Sequence, residues 1–310
     1  MALHDCDVAV VGGGVAGCTA GMYASRYGLD TLIFGGGLPG GQAALAVRIE
    51  NYPGFPDGVS GMELAQAVRT QAERMGAELV TAQAMGLSRA DDGRWILFSD
   101  VGEARAVAVI VATGGRPRKL GIPGEEEFAG AGVSYCATCD GFFFRGEAVA
   151  VIGGGNTAIE DALFLSEVCS TVYVVHRRDA LRAESYLQER AFARDNIEFV
   201  WDSVPVEVVG REQVERVRVR NVKTQADRDL EVKGVFVAIG YEAQTEWLGD
   251  YVEREGGFIL TNDRMETKSP GLFAAGDVRL TPVRQITTAV GDATVAAYFA
   301  YDYLAGFRNR

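Results

Sequence analysis

Positive charge is scarce in this chain: 30 Lys and Arg stand against 42 Asp and Glu, a net charge of −12 over 310 residues. That deficit disfavours nonspecific nucleic-acid binding and adhesion to anionic membrane surfaces. Long hydrophobic runs are missing as well, and no stretch approaches the ~18 apolar residues of a membrane span. Met1 to Asp7 carry neither the basic stretch nor the apolar core of a secretory signal, so a cytoplasmic location is expected. Cysteines number five, an odd count in a long chain, which argues against a disulfide-stapled secreted domain. Zinc finds no set of four ligands. Beyond one C-x-x-C pair the candidates are Cys6, Cys18, Cys169, His4 and His176, none suitably spaced, and no metal site is expected.

Glycine, by contrast, is abundant at 39 residues. Without a collagen-like period, the surplus belongs in tight turns and in close approaches of backbone to ligand. The length suggests two domains at about 150 residues each. A repeat supports this. Asp7-Val-Ala-Val-Val-Gly-Gly-Gly-Val-Ala-Gly17 recurs as Ala148-Val-Ala-Val-Ile-Gly-Gly-Gly-Asn-Thr-Ala158, offset by 141 residues. Each copy leads from an apolar β-branched run through glycines into a helix-like stretch, then to a second strand, Thr31 to Phe34 or Thr171 to His176. These are two βαβ units, hence an α/β protein with two Rossmann-like, three-layer ββα nucleotide-binding domains. A turn-rich charged loop over 114–128 and a weaker break near Tyr241 to Thr245 suggest that the second domain is inserted into the first. The expected boundaries are 1–115 plus 246–310 for one domain and 116–245 for the other.

Gly12-x-Gly14-x-x-Gly17 follows a strand and opens a helix, the context in which glycines let backbone approach a pyrophosphate. The bland alternative is a tight strand–helix turn. In the second copy, Gly153-x-Gly155-x-x-Ala158, the following strand ends in His176, Arg177, Arg178 and Asp179, with Arg182 beyond. Arg177 stands 19 residues after Ala158, about where a ribose-binding acid would serve NAD. Guanidinium groups there suit the 2′-phosphate of NADP instead. The competing reading is a solvated basic cluster. The first copy has no acid at the end of its second strand but an extended loop, Gly35 to Gln42, able to wrap a larger dinucleotide. Cys136-Ala-Thr-Cys139-Asp140 is the chemical centre, because this spacing lets two sulfurs close a small disulfide ring. Phe142, Phe143 and Phe144 follow it, as core residues or as apolar anchors beside a redox pair.

From end to end the chain resembles low-molecular-weight, bacterial-type thioredoxin reductases. The matching stretches are Gly12 to Gly17, Pro39-Gly-Gly-Gln42, Glu50-Asn-Tyr-Pro-Gly54 and Ala112-Thr-Gly114. Further on they are Gly132 to Phe143, Gly153 to Ala158, His176-Arg-Arg-Asp179, Ala274-Ala-Gly-Asp277 and Arg284-Gln285. The resemblance implies FAD in the split domain and NADPH in the inserted one. FAD would meet Gly12, Gly14, Gly17, Gly35, Gly36, Gly40, Gly41, Gln42, Asn51, Ala112, Thr113, Gly114 and Gly276. Asp277 would bind the ribityl hydroxyls, and Arg284, Gln285 and Ile286 would lie near the isoalloxazine. NADPH would meet Gly153, Gly155, Asn156, Thr157, His176, Arg177, Arg178, Arg182, Ile239 and Gly240. Cys139 would face the flavin, Cys136 would attack the partner's disulfide, and Asp140 would protonate the departing thiolate. Phe142 and Phe143 would contact thioredoxin, and a homodimer is implied.

Departures are few. Gly35 stands where many flavoproteins carry an acid, Tyr241-Glu-Ala-Gln-Thr245 replaces His-x-Pro-Asn-Thr, and Ala131 replaces an arginine common before Gly-Val-Ser. Nothing essential to the electron path is missing. Rival readings are the same architecture serving another disulfide partner, a non-NADPH electron donor, and a nucleotide-binding regulator that has lost turnover. The intact arginine cluster disfavours another donor, and the retained redox pair disfavours a regulator. Because one flavin must meet both nicotinamide and dithiol, rotation about the two linkers is expected to present them in turn.

Overall fold

The computed structural model describes residues 4–36, 40–46 and 48–308; Pro39, in one of the matching stretches, lies outside them. Cα packing divides the chain into two compact units, Met1–Arg116 with Glu242–Arg310, and Pro117–Tyr241.

The first unit begins with β1 (Cys6–Val11), α1 (Val15–Arg26) and β2 (Thr31–Phe34), the strands parallel with Val8 opposite Thr31. The helix starts three residues before the apolar run at Cys18, because the glycine turn itself supplies its N-terminus. After α2 (Gly61–Arg74) come β3 (Glu78–Val80), β4 (Ala84–Arg89), β5 (Trp95–Ser99) and the ten-residue β6 (Gly102–Val111). The sheet order is β3-β2-β1-β6-β5-β4, with β4 and β5 antiparallel extensions.

The second unit contains β7 (Val133–Ser134), α3 (Ala137–Asp140), β8 (Ala148–Ile152), α4 (Asn156–Ser166), β9 (Thr171–Val175), α5 (Ser185–Phe192) and β10 (Ile197–Val200). It continues with β11 (Ser203–Gly210), β12 (Val214–Asn221), β13 (Asp227–Glu231) and β14 (Gly234–Val237). Strands β10-β9-β8-β14-β7 make a parallel sheet, and β11-β12-β13 an antiparallel one. Side chains alternate across the parallel sheet. Val149, Val151, Val172, Val174 and Phe236 pack beneath α4 and α5, whereas Ala150, Ile152, Val175, Val235 and Val237 pack on the antiparallel sheet. Helices, parallel sheet and antiparallel sheet thus form three layers, the ββα arrangement expected for this unit.

The chain then completes the first unit with β15 (Leu272–Ala274), parallel to β6, and α6 (Ile286–Arg308). Helix α6 meets α1 through small residues, Ala293, Ala296, Ala297 and Ala300 on one side and Ala20 and Ala24 on the other, all buried. Spaced three and four apart, they form one helical stripe and let the two axes approach closely.

Candidate functional site

Cys136 and Cys139 are joined by a disulfide, with Cα atoms 5.3 Å apart. Cys136 has extended backbone and precedes α3, one helical turn in which the Cys139 and Asp140 N–H groups donate to the Cys136 carbonyl at 3.3 and 3.2 Å. That turn brings the sulfurs together. Cys136 is half-buried and Cys139 exposed. Asp140, half-buried, accepts a hydrogen bond from Ser134 Oγ at 2.6 Å. Burial pushes its carboxyl above the ordinary value, and the Ser134 bond pulls it part of the way back. A group so perturbed beside a disulfide is suited to proton transfer. The remaining cysteines are buried: desolvation holds Cys6 at about 12 and Cys18 and Cys169 at about 11, so none is a thiolate near neutrality.

Glycine backbone builds the first nucleotide cradle. Gly12 (φ 126°) lies in the left-handed region against Ala112, and a Cβ at Gly17 would run into the Gly12 carbonyl. Gly14 bridges Gly40, and a Cβ on Gly13 would meet the Gly35 Cα at 2.9 Å. Side chains at Gly36 would enter the Ala82–Gln83 backbone, so the loop returns tightly before the 3-10 turn at Gln42. No side chain caps α1 at Gly14, whereas α2 has a complete capping box, Ser60 with Glu63. The open α1 terminus leaves N–H donors for an anion. Strand β6 ends just before Ala112, Thr113 and Gly114. Asn51 Nδ2 donates to Gln285 Oε1 at 3.1 Å, joining two residues 234 positions apart. Ile286 opens α6, and Arg284 lies 4.4 Å over the Phe258 ring. Asp277 follows Gly276 in a 3-10 turn; burial raises its carboxyl to about 6, with Arg284 lowering it and Asp292 raising it.

The second cradle repeats this logic. No side chain caps α4 at Gly155, where a Cβ would meet nothing within 4 Å. Gly153 abuts the Ala238 carbonyl, next to Ile239 and Gly240 at the exposed end of β14. Asn156 is committed to Glu184, accepting its N–H at 2.9 Å, and Thr157 is exposed. Arg177, Arg178 and Arg182 are all exposed, and the Arg182 N–H donates to the Gly154 carbonyl at 2.7 Å. His176 is different. It is buried against Gly154, just past the end of β9, and the three arginines help hold it neutral after burial has done most of that work.

The family described as pyridine nucleotide-disulphide oxidoreductase matches residues 6–293. A thioredoxin reductase of Streptomyces coelicolor is 44% identical over 306 residues, 98% of this chain and 95% of that one. One from Bacillus subtilis is 42% identical over 304 residues, 96% and 94% of the two chains. The crystal structure of thioredoxin reductase from Streptococcus pyogenes superimposes with a TM-score of 0.92 at 42% identity, covering 97% and 98%. The chain belongs to the thioredoxin reductases. It is therefore a flavoprotein disulfide reductase whose cofactors are FAD and NADPH. The residues present fit such groups: two cradles that a Cβ would fill, two uncapped helix starts and a half-buried carboxyl at Asp277.

Several residues that brace these turns have no motif of their own. Asp292 on α6 accepts from Gly276 N at 3.2 Å and Arg279 Nε at 2.7 Å, fixing the turn that carries Asp277. Glu125 is buried and accepts from the Leu120 and Gly121 N–H groups at 2.8 and 2.7 Å and from Tyr135 OH at 2.9 Å. It ties the residue before Cys136 to the loop at the start of the second unit. Phe142 and Phe143 are half-exposed, whereas Phe144 packs edge-on against Phe236. The aromatic trio thus splits between surface and core.

Proposed function

We propose that this reductase passes electrons from NADPH to the disulfide of a thioredoxin through Cys136–Cys139, as a cytoplasmic homodimer. The observation that carries the reading is the Cys136–Cys139 disulfide beside the hydrogen-bonded Asp140. The unit Met1–Arg116 with Glu242–Arg310 holds FAD, and the unit Pro117–Tyr241 holds NADPH. When bound, the two cofactors supply the hydride and two-electron chemistry. The uncapped α1 terminus and its glycine cradle bind the FAD pyrophosphate, and Asp277 orients the ribityl chain. The uncapped α4 terminus receives the pyrophosphate of NADPH. Arg177, Arg178 and Arg182 clamp the 2′-phosphate, while buried His176 shapes the turn beneath them. The chain crosses between the units at 116/117 and 241/242, and rotation about these crossings would let nicotinamide and dithiol reach the flavin in turn.

In the reduced state, Cys136 sulfur attacks one sulfur of the thioredoxin disulfide, forming a mixed disulfide and expelling the other as thiolate, which takes its proton from Asp140. Cys139 sulfur then attacks Cys136 Sγ, restoring the Cys136–Cys139 disulfide and releasing reduced thioredoxin. Cys139 is the more exposed residue of the oxidised pair, and a direct test assigns the roles. Offered a thioredoxin with its second cysteine replaced by serine and its first activated as a mixed disulfide with a small aromatic thiol, the reduced Cys139→Ser protein should form a stable mixed disulfide on non-reducing gels, and Cys136→Ser should not. The opposite pattern would reverse the roles, and trapping by neither would remove thioredoxin as the partner. Sedimentation at the 33.2 kDa of a single chain would contradict the homodimer.

A further inference from the structure

Ser134 ends β7, two residues before the redox pair, and is buried. Its hydroxyl serves two neighbours. It donates to the Asp140 carboxylate at 2.6 Å and accepts the Cys136 N–H at 3.1 Å. The Cys136 carbonyl lies 3.3 Å from the same oxygen, a second acceptor within reach of the serine proton. A hydroxyl carries one proton and rotates to suit its surroundings. With Asp140 ionised, the hydroxyl keeps that proton and donates it to Oδ2, because a charged acceptor makes the shorter and stronger bond. With Asp140 protonated, the carboxyl O–H can donate to Ser134 Oγ while the serine proton turns to the Cys136 carbonyl. In both states the carboxyl is bonded to the same atom, and that atom is bonded to the backbone of the cysteine itself.

We propose that Ser134 is a positioning residue for proton transfer at the dithiol, holding the Asp140 carboxyl in place in both protonation states and setting the pH at which its proton leaves. This rests on Asp140 being the acid of the thiol exchange. The exchange balances as written above: one S–S bond breaks as another forms, and the leaving sulfur keeps the bonding pair. A proton passes to it from Asp140, which is reloaded from solvent. Burial acts first on the Asp140 carboxyl, and the Ser134 hydroxyl is the contact that opposes it. The charges nearest in the chain and on the adjoining helix are Glu160 and Asp161 on α4, and Arg145 and Glu147 beyond the 3-10 turn Gly141–Phe144. Strand β14, beside Ser134, carries no charge.

The test compares wild type, Ser134→Ala, Ser134→Thr, Asp140→Asn and Ser134→Ala/Asp140→Asn as full-length holoenzymes. Two readouts are taken across pH: kcat for thioredoxin reduction, and the infrared carboxyl band of Asp140 in the oxidised protein. A reaction needing protonated Asp140 falls as pH rises through its ionisation. Removing a donor to the carboxylate makes ionisation harder, so Ser134→Ala should move both the fall and the band upward by about one pH unit. Ser134→Thr keeps a hydroxyl and should restore the wild-type position. Should Ser134→Ala not fold, Ser134→Cys, with a weaker donor, should move the infrared band in the same direction. In the Asp140→Asn background the limb should be absent and Ser134→Ala should not alter the pH dependence. A Ser134→Ala loss equal at every pH, and equally large with Asp140→Asn, would mean ordinary packing and overturn the proposal. Persistence of the limb in Asp140→Asn would instead overturn the acid role, and the proposal with it.

Discussion

At the scale of single residues, the acids do most to distinguish this chain from a passive scaffold. Asp140 has a hydrogen bond to hold it, and Asp277 has an arginine within electrostatic reach. Asp161 has neither to offset its burial. On α4 its carboxyl is pushed up to about 7, by burial first and by Glu160 second. In the unfolded chain it titrates at about 3.9. Between those values the folded state binds a proton that the unfolded state has released, so stability falls as pH rises and levels off above about 7. Asp161→Asn should therefore stabilise the protein more at pH 8 than at pH 5, by a margin on the order of 2 kcal/mol in denaturant melts. An effect of the same size at both pH values would contradict the assignment. The reading of residues from sequence follows a similar divide. Cys136, Cys139 and Asp140 are legible because one helical turn brings neighbours in sequence together. Ser134, Glu125 and Asp292 are not, because an ordinary serine or acid becomes part of a site only through the partner that the folded backbone brings to it.

Among elements, the two strand–glycine–helix units are legible because three independent signals coincide: β-branched runs, glycines at fixed offsets and a following apolar helix. Their boundaries shift by a few residues, since each helix begins inside its glycine turn, at Val15 and Asn156. The antiparallel sheet is less legible. Only β12 alternates valine with charged residues, and β13 is mostly charged, its arginine and aspartate pairs being made across strands, as between Arg220 and Asp227 at 2.6 Å. The 3-10 turn Gly141–Phe144 carries a prediction at this scale. It turns Phe142 and Phe143 outward while Phe144 anchors it to Phe236. Replacing both exposed phenylalanines with alanine should lower kcat/KM for thioredoxin at least tenfold while a small aromatic disulfide is reduced at the wild-type rate. Equal loss with both substrates would mean that the pair supports the redox turn rather than a partner.

For the whole molecule, the reading joins two nucleotide cradles to one dithiol on a single electron path. The glycine cradles alone are common to many nucleotide-binding proteins. Their conjunction with an exposed arginine trio and the Cys136–Cys139 disulfide narrows the account. Its central claim is that NADPH delivers electrons that leave through those cysteines to thioredoxin. The most direct measurement mixes the oxidised yellow holoenzyme anaerobically with NADPH or with NADH and follows the visible flavin band, before and after adding oxidised thioredoxin. The account predicts rapid bleaching by NADPH, much slower bleaching by NADH, loss of that difference when Arg177 and Arg178 are both alanine, and full recovery of colour on adding thioredoxin. Absence of bleaching by NADPH, or bleaching that thioredoxin leaves unchanged, would contradict it.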